Sequence, residues 1–281
     1  MTNRSLAYIV KEQRPLILSI DDSVRQACRC MRESKSGSVL VVDAARRLQG
    51  IFTGRDAVRL LAQAEDPGGS VLLNAMMKDP VTVHPKDRAI DALRAMAVGG
   101  FRHVPVVDGG TVIGVVSRSD LKGMELEEFR RRQSGAPGSS AHAFRSLAEI
   151  LKARKALLVP EDATVQQACG AMWHSKRGAS LVVDRAERLT GIFTGRDAVR
   201  VLAMAEDAAA TPTRQAMTRN PITLTPQGSA IDALRAMNDG GFRHLPIVEK
   251  NMILGVVSRG DFTGIEIDRL DEEEHLKEVL W

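Results

Sequence analysis

The stretch Ile51–Arg59, IFTGRDAVR, returns letter for letter at Ile192–Arg200, 141 residues later. The same offset relates Asp91–Met96 to Asp232–Met237, Phe101–His103 to Phe242–His244, and Gly114–Arg118 to Gly255–Arg259, with no insertion between them. A fixed period of this kind marks a duplicated structural unit, so any fold proposed for the chain must be built twice. A weaker echo runs inside each half. Gly50–Asp56 has the shape of Gly114–Asp120, 64 residues on, and Gly191–Asp197 that of Gly255–Asp261. Pro15–Leu18 likewise aligns with Pro80–Val83. Four related units therefore make up the molecule, each with one copy of Gly-apolar-apolar-[Ser/Thr]-x-x-Asp.

Within the first unit, Arg4–Lys11 reads as a short leading helix. Pro15 then introduces a short strand at Leu16–Leu18, bounded by turn residues. Asp21, Asp22 and Ser23 supply N-cap chemistry for a helix over Val24–Arg32. Its apolar positions Val24, Ala27, Cys28 and Met31 share one face at helical spacing. Lys35, Ser36 and Gly37 break it, Ser38–Val42 reads as a buried strand, and Asp43–Gln49 as a polar turn. Gly50–Thr53 is a second short strand and Asp56–Ala64 a helix. The second quarter repeats the order with Pro80–Val83, Ala89–Met96, Arg102–Val107, Val112–Ser117 and a helix from Asp120 onward. The fold class is α+β (mixed α/β), built from four β-α-β-β-α units. A single unit of about 60 residues buries so little surface that it would be marginal alone. The two sheets of each half are therefore expected to pack together around a pseudo-twofold axis.

The expected boundaries are 4–65 and 75–126 for the first two units, 127–143 for a linker, and 144–206 and 216–267 for the last two. The linker is centred on the Gly/Pro/Ser-rich Gln133–Ser140. An acidic helix is expected over 268–281, continuing an apolar face of Ile267, Leu270, Leu276 and Val279 opposite Glu272–Glu274.

Composition narrows the function classes. The chain of 281 residues has 44% hydrophobic and 26% charged residues, ordinary for a globular protein with a real core. No apolar run approaches the roughly 20 residues of a membrane span. The N-terminus lacks the apolar segment of a secretory signal, so a cytoplasmic protein without membrane contact is expected. Three cysteines, Cys28, Cys30 and Cys169, have no CxxC spacing and read as reduced thiols, mostly packed as small hydrophobes. A net charge of +4 is small and spread through both halves, and Tyr8 is the single tyrosine, so nucleic acid is a weak alternative partner. The dense cluster Arg130–Arg132 reads as a solvated helix end. Arg259-Gly260-Asp261 spells an adhesion tripeptide but lies inside the repeated turn, where coincidence accounts for it. There is no Walker loop, GxGxxG, HExxH or GxSxG, and the six histidines do not cluster with cysteines at metal-ligand spacing. The expectation is therefore a non-enzyme, with no catalytic residues and no metal.

The repeated turn carries the remaining chemistry. A strand that ends on a hydroxyl, with a carboxylate three residues on at a helix start, brings both groups to one spot. The carboxylate can accept from vicinal ribose hydroxyls, and the hydroxyl with free helix N–H groups suits phosphate. Arg55, Arg118, Arg196 and Arg259 sit in or beside the turn and can add charge-assisted bonds. The plainer alternative is that Thr/Ser and Asp only cap the helix. Four copies with both groups at one spacing favour a ligand, because a cap needs only one of the two.

Together with the strand that reads apolar-Pro-Val-Val-Asp, this unit order and turn resemble the CBS domain, the module named after cystathionine β-synthase. The resemblance runs from about Arg4 to Ile267. It implies two tandem pairs (Bateman modules) in a disc, formed within one chain or between two, so a homodimer is an open arrangement. It also implies binding of an adenosine-containing small molecule that regulates a protein partner. AMP, ADP or ATP, with or without magnesium, come first, and S-adenosylmethionine or NAD behind them; no covalent cofactor is implied.

Carried over residue by residue, the ribose role falls to Asp56, Asp120, Asp197 and Asp261. The hydroxyl role falls to Thr53, Ser117, Thr194 and Ser258. Leu16, Ile17, Val81, Thr82, Leu157, Leu158, Ile222 and Thr223 flank adenine. The phosphate role falls to Arg55, Arg118, Arg196, Arg259 and the cationic pairs Arg102-His103 and Arg243-His244. Only one residue of each pair should reach the phosphates, because adjacent strand residues point to opposite faces. A packed strand end is the alternative for the histidines. The first and third units have no such pair, so the second and fourth look better equipped for phosphate. The alternative to a sensor is a ligand-independent dimerisation scaffold.

Overall fold

The computed structural model describes residues 3–63, 66–134, 145–151, 155–204, 207–263, 266, 267 and 270. Helix α1 (Leu6–Val10) starts at Ser5, whose hydroxyl accepts from the Tyr8 N–H. Strand β1 (Ile17–Ser19) pairs in parallel with β2 (Ser38–Val42), and β2 runs antiparallel to β3 (Leu48–Thr53). Between the first two strands lies α2 (Val24–Glu33), capped by Ser23 on the Gln26 N–H, with Val24, Ala27, Cys28 and Met31 buried as their spacing predicts. After β3 come α3 (Gly54–Gln63), α4 (Leu72–Ala75) and β4 (Met77–Lys78), which adds to the free edge of β3. The second unit contains α5 (Ala89–Gly99), the hairpin β5 (His103–Asp108) and β6 (Thr111–Ser117), a 3₁₀ turn at Arg118–Asp120, and α6 (Gly123–Ser134).

The second half repeats this order as α7 (Leu147–Leu151), β7 (Leu158–Pro160), α8 (Val165–His174), β8 (Ala179–Val183), β9 (Leu189–Thr194), α9 (Gly195–Met204), α10 (Thr213–Ala216), β10 (Thr218–Arg219), α11 (Ala230–Asp239), β11 (His244–Glu249) and β12 (Met252–Ser258), followed by a 3₁₀ turn at Arg259–Asp261.

The strand expected at Pro80–Val83 is reduced to a single parallel bridge, Val83 to Val106, and its counterpart to Leu224 with Ile247. Pro80 and Pro221 have no N–H to give a ladder, so the segment pairs only once past the proline. The strands β4 and β10, which sequence periodicity did not reveal, take the chain's pairing capacity just before those prolines.

Neighbouring units exchange end segments. The leading helix α1 docks on the second unit, where the Leu6 and Ala7 N–H groups donate to the Asp87 and Pro85 carbonyls. In return α4 docks on the first, where the Leu72 N–H donates to the Asp22 carbonyl.

The expected sheet-to-sheet packing inside a half is present but small. In the second half it consists of Ala179, Leu181 and Ile192 against Ile253 and Val256. The large buried clusters run across the halves instead. One joins units 1 and 3, where α3 packs on α8 and α9, and α2 on α9, around Phe52, Leu61, Phe193 and Leu202. The other joins units 2 and 4 around Leu6, Leu93, Val104, Leu147, Leu234 and Phe262. The reason lies in the helix stripes: each unit covers one sheet face with its own helices, and their outer apolar faces have only the other half to pack against. Ile267 and Leu270 are buried in this second cluster, while Glu272–Glu274, Leu276 and Val279 lie outside the described residues. Helix α6 carries Arg130–Arg132 and continues to Ser134; the rest of the expected linker also lies outside the described residues. No helix among the described residues is long and apolar enough to cross a membrane.

Candidate functional site

The four repeated turns fall into two classes. In units 1 and 3 the carboxylate is buried and engaged by the protein. Asp56 Oδ2 accepts from the Thr53 N–H at 2.9 Å and its hydroxyl at 2.8 Å, while Oδ1 lies 3.5 Å from Arg59 Nη2. Burial pushes the Asp56 pKa up, against the hydrogen bonds from Thr53 and the charge of Arg59. Asp197 is 3% exposed; its Oδ2 accepts from Thr194 in the same way, and its Oδ1 accepts from Arg200 and from the Thr218 hydroxyl. The two helix starts also abut. A Cβ placed on Gly54 would sit 3.1 Å from the Gly195 carbonyl oxygen, and the reverse placement gives the same distance. Two positive helix ends thus meet, and each buries a first-turn carboxylate that offsets its dipole.

In units 2 and 4 the turn is 3₁₀ and more open. Asp120 Oδ2 accepts from the Ser117 N–H at 2.6 Å and its hydroxyl at 2.7 Å, and Asp261 Oδ2 accepts from Ser258 at 2.7 and 2.8 Å. Both carboxylates are only part-buried. Among the described residues no protein hydrogen bond reaches the second oxygen of Asp120.

The cationic pairs complete these turns from the opposite half. Arg243 Nη2 donates to Ser119 Oγ at 3.1 Å, placing a unit 4 cation on the unit 2 turn. Arg102 lies within electrostatic reach of Asp261, and Arg243 of Asp120. Burial lowers the pKa of both guanidiniums. Arg55 lowers Arg102 further, and Arg102, Arg196 and Arg259 lower Arg243. Arg102 nevertheless keeps solvent access. A cation hemmed in by protein and by other cations, yet open to solvent, is suited to attract an anion.

His103 and His244 sit against Gly37 and Gly178, among the same arginines. A Cβ on Gly37 or Gly178 would lie 3.0 Å from the respective Nε2, so only glycine leaves the imidazole its place. Burial, then neighbouring arginines, lower both imidazole pKa values from 6.5 to about 4, so both are neutral at pH 7. The free thiols of Cys28 and Cys169 are buried and pushed up to about 12 by that burial, while Cys30 is half-buried.

The other predicted phosphate ligands divide further. Arg55 Nη1 donates to the Gly100 carbonyl at 2.9 Å and Arg196 Nη1 to the Gly241 carbonyl at 2.7 Å, so both fasten the first turn of a unit to the helix end of its neighbour. Arg118 and Arg259 stand in the open turns, with backbone N–H groups donating to the Arg102 and Arg243 carbonyls.

Of the predicted adenine-flanking residues, Leu16 and Leu157 pack against the units 1 and 3 core and Ile17 is half-buried. Val81, Thr82, Leu158, Ile222 and Thr223 are exposed. Thr82 lines a cavity of about 280 Å³ with Arg47, Leu48, Asp79, Pro80, Val107 and Gly110, at the seam of units 1 and 2.

Sequence reasoning missed the support behind the open turns. Arg4 Nε and Nη2 donate to Glu125 Oε1 and Oε2 at 2.9 and 2.8 Å, and Nη2 also donates to the Asp120 carbonyl at 2.9 Å. Arg145, Glu266 and the Asp261 carbonyl repeat the arrangement. The signal was available, since Arg4 and Arg145, and Glu125 and Glu266, keep the 141-residue offset.

Comparison with known proteins agrees with the four-unit reading. The family model described as CBS domain matches residues 10–63, 70–125, 147–204 and 214–266. The CBS domain-containing protein CBSCBSPB3 of Arabidopsis thaliana is 30% identical over 259 residues, covering 82% of this chain and 46% of its own. The meiotically up-regulated gene 70 protein of Schizosaccharomyces pombe is 27% identical and covers 92% of this chain and 43% of its own. The chain thus spans about half the length of the curated relatives it matches. The crystal structure of MJ1225 from Methanocaldococcus jannaschii superposes with a TM-score of 0.71 at 16% identity, covering 94% of this chain and 99% of that one, and so shares the fold.

Proposed function

The chain belongs to the CBS domain family, and on that premise we propose that it is a regulatory protein whose second and fourth units bind an adenine nucleotide. In this reading Asp120 and Asp261 hold the ribose hydroxyls, and Ser117 and Ser258 orient those carboxylates. Arg102 and Arg243 take phosphate from the opposite half, with Arg118 and Arg259 at the turns. The exposed Val81, Thr82, Ile222 and Thr223 flank the base. The carrying observation is the pairing of each open carboxylate turn with a cation from the other half. Nucleotide entry would neutralise a cluster of mutually repelling arginines at the seam. It would thereby change how firmly the halves hold together, and with that the surface offered to a regulated protein. Such coupling requires different ligand affinities in the two arrangements. AMP, ADP and ATP are the first candidates, and S-adenosylmethionine and NAD follow.

A structural role is favoured for the first and third units, because Asp56 and Asp197 are buried and bonded to Arg59 and Arg200. There the capping reading accounts for the motif.

Thermal unfolding against these nucleotides, with and without magnesium, tests the proposal. Ligand at 100 times its dissociation constant stabilises a site by about 2.7 kcal/mol, a rise of several degrees at roughly 2–4 °C per kcal/mol. The rise should shrink in Asp120→Ala and Asp261→Ala. A flat response across the panel would sink the nucleotide reading in favour of a scaffold.

A further inference from the structure

The two open turns differ at one position: Ser119 stands where unit 4 has Gly260. Ser119 Oγ receives Arg243 Nη2 at 3.1 Å and lies 2.7 Å from Ser117 Oγ, which lies 2.7 Å from Asp120 Oδ2. An ionised carboxylate only accepts, so Ser117 gives its single hydroxyl proton to Asp120. Ser117 must then accept from Ser119, and Ser119 must accept from the guanidinium, which has no acceptor of its own. The result is a directed relay from Arg243 through Ser119 and Ser117 to Asp120. It begins in the second half of the chain and ends in the first.

At unit 4 the relay is broken. Ser258 Oγ still donates to Asp261 Oδ2 at 2.8 Å, but Gly260 offers no hydroxyl. Among the described residues no hydrogen bond engages the Arg102 guanidinium. A guanidinium presents its donors in a fixed plane and grips phosphate best with two of them. The Nη2 edge committed to Ser119 is lost to such a grip until that bond opens, whereas Arg102 keeps every donor.

We infer that Ser119 is a latch that makes the two otherwise equivalent clefts unequal. Phosphate fills the Asp261 cleft first, on Arg102, and fills the Asp120 cleft only by drawing Arg243 away from Ser119. The first event leaves the relay between the halves closed, and the second opens it. The chain then answers ligand at two thresholds. This rests on the nucleotide reading for the identity of the ligand; the order of filling needs only an oxyanion.

Isothermal titration of the full chain with ATP tests the latch. Two binding steps about tenfold apart are expected, since the latch is one charge-assisted hydrogen bond that is partly replaced by phosphate. Ser119→Gly should merge the steps by tightening the weaker one. Gly260→Ser should weaken the tighter one; a Cβ there meets only Ser258 Oγ, at 3.8 Å, so the serine fits. A gap between steps that survives Ser119→Gly, or a tight step untouched by Gly260→Ser, overturns the latch. If ATP, ADP and AMP give no heat with any of the three proteins, the nucleotide reading falls. Inorganic pyrophosphate, titrated into the same three proteins, then decides the latch alone by the same ordering.

Discussion

Gly54 and Gly195 meet backbone to backbone between the two halves of the chain, each leaving 3.1 Å between a would-be Cβ and the other's carbonyl oxygen. That distance is tighter than most Cβ contacts, and the facing oxygen is backbone rather than the end of a flexible side chain. Gly54 is the first residue of α3, where alanine gains less than the roughly 1 kcal/mol of a helix interior, and its Cβ must push α3 away from α9, an overpacking cost of about 1–3 kcal/mol. The expected net result is a loss, read as a lower unfolding temperature, with the double alanine variant worse than either single one. An unfolding temperature that rises with Gly54→Ala would show that the helices can part without cost.

Acid should weaken the fold through the two seam histidines. Unfolded imidazoles bind protons below about pH 6.5, whereas His103 and His244 hold out to about pH 4 because burial and the facing arginines oppose their charge. Between these values the unfolded state binds more protons, so stability rises with pH. Their contribution is complete above pH 6.5 and is lost as pH falls towards 4, on the order of 2 kcal/mol per histidine after allowing for residual exposure. Melting from pH 7 to 4.5 should therefore fall more steeply for the wild type than for the His103→Gln, His244→Gln pair. Parallel curves would mean that the imidazoles titrate normally.

Much of this architecture was legible from the 141-residue period. Helix α2 follows from the face of Val24, Ala27, Cys28 and Met31, and its start from Ser23. The strand reduction at Pro80 was also physically readable, since the proline withdraws a ladder donor, but the alignment with Pro15–Leu18 concealed it. What could not be read was partnership between segments distant in the chain. The docking of α1 on the second unit, and the reach of Arg243 to Ser119, depend on closure in space; the return of Arg4–Ala7 as Arg145–Ala148 marks the docking segment but not its partner. The difference between Asp56 and Asp120 is of the same kind. The same motif ends in a buried carboxylate in one unit and a part-buried one in the other, because α3 starts within the turn and lies against α9, while the 3₁₀ turn after β6 ends at an extended Leu121 before α6 begins.

Ser180 is the single described residue with a buried side-chain oxygen lacking any hydrogen-bond partner. Its repeat counterpart is Val39, buried on the equivalent strand position. Ser180→Val should therefore stabilise the protein by roughly 1–3 kcal/mol, the cost of an unsatisfied buried group, and Val39→Ser should cost a similar amount. Chemical denaturation measures both; a destabilised Ser180→Val would mean that the cavity there is too small for two methyl groups.

Arg4 joins the N-terminal segment to the carbonyl of Asp120 and to Glu125, whose side chain is 2% exposed. Burial opposes ionisation of Glu125, but hydrogen bonds from Arg4 and Lys122 outweigh it and lower its pKa. Removing the arginine alone strands a buried carboxylate, a loss of about 3–5 kcal/mol. Arg4→Ala should thus cost far more stability than Arg4→Ala with Glu125→Leu. Equal losses in the single and double variants would deny the pair its role.

The two classes of aspartate should separate stability from binding. Asp197 is buried, accepts from Thr194, Thr218 and Arg200, and caps the start of α9. Asp197→Ala strips several bonds at once and leaves Arg200 without its carboxylate, so a loss of about 2–4 kcal/mol is expected. Asp120 is part-buried and bonds only through one oxygen to its own turn, so Asp120→Ala should cost about 1 kcal/mol, the ordinary value of a cap. Nucleotide binding should show the opposite order, with Asp120→Ala losing affinity and Asp197→Ala, measured well below its unfolding temperature, retaining it. Equal loss of affinity in both variants would place ligand at all four turns and dissolve the division between structural and binding units.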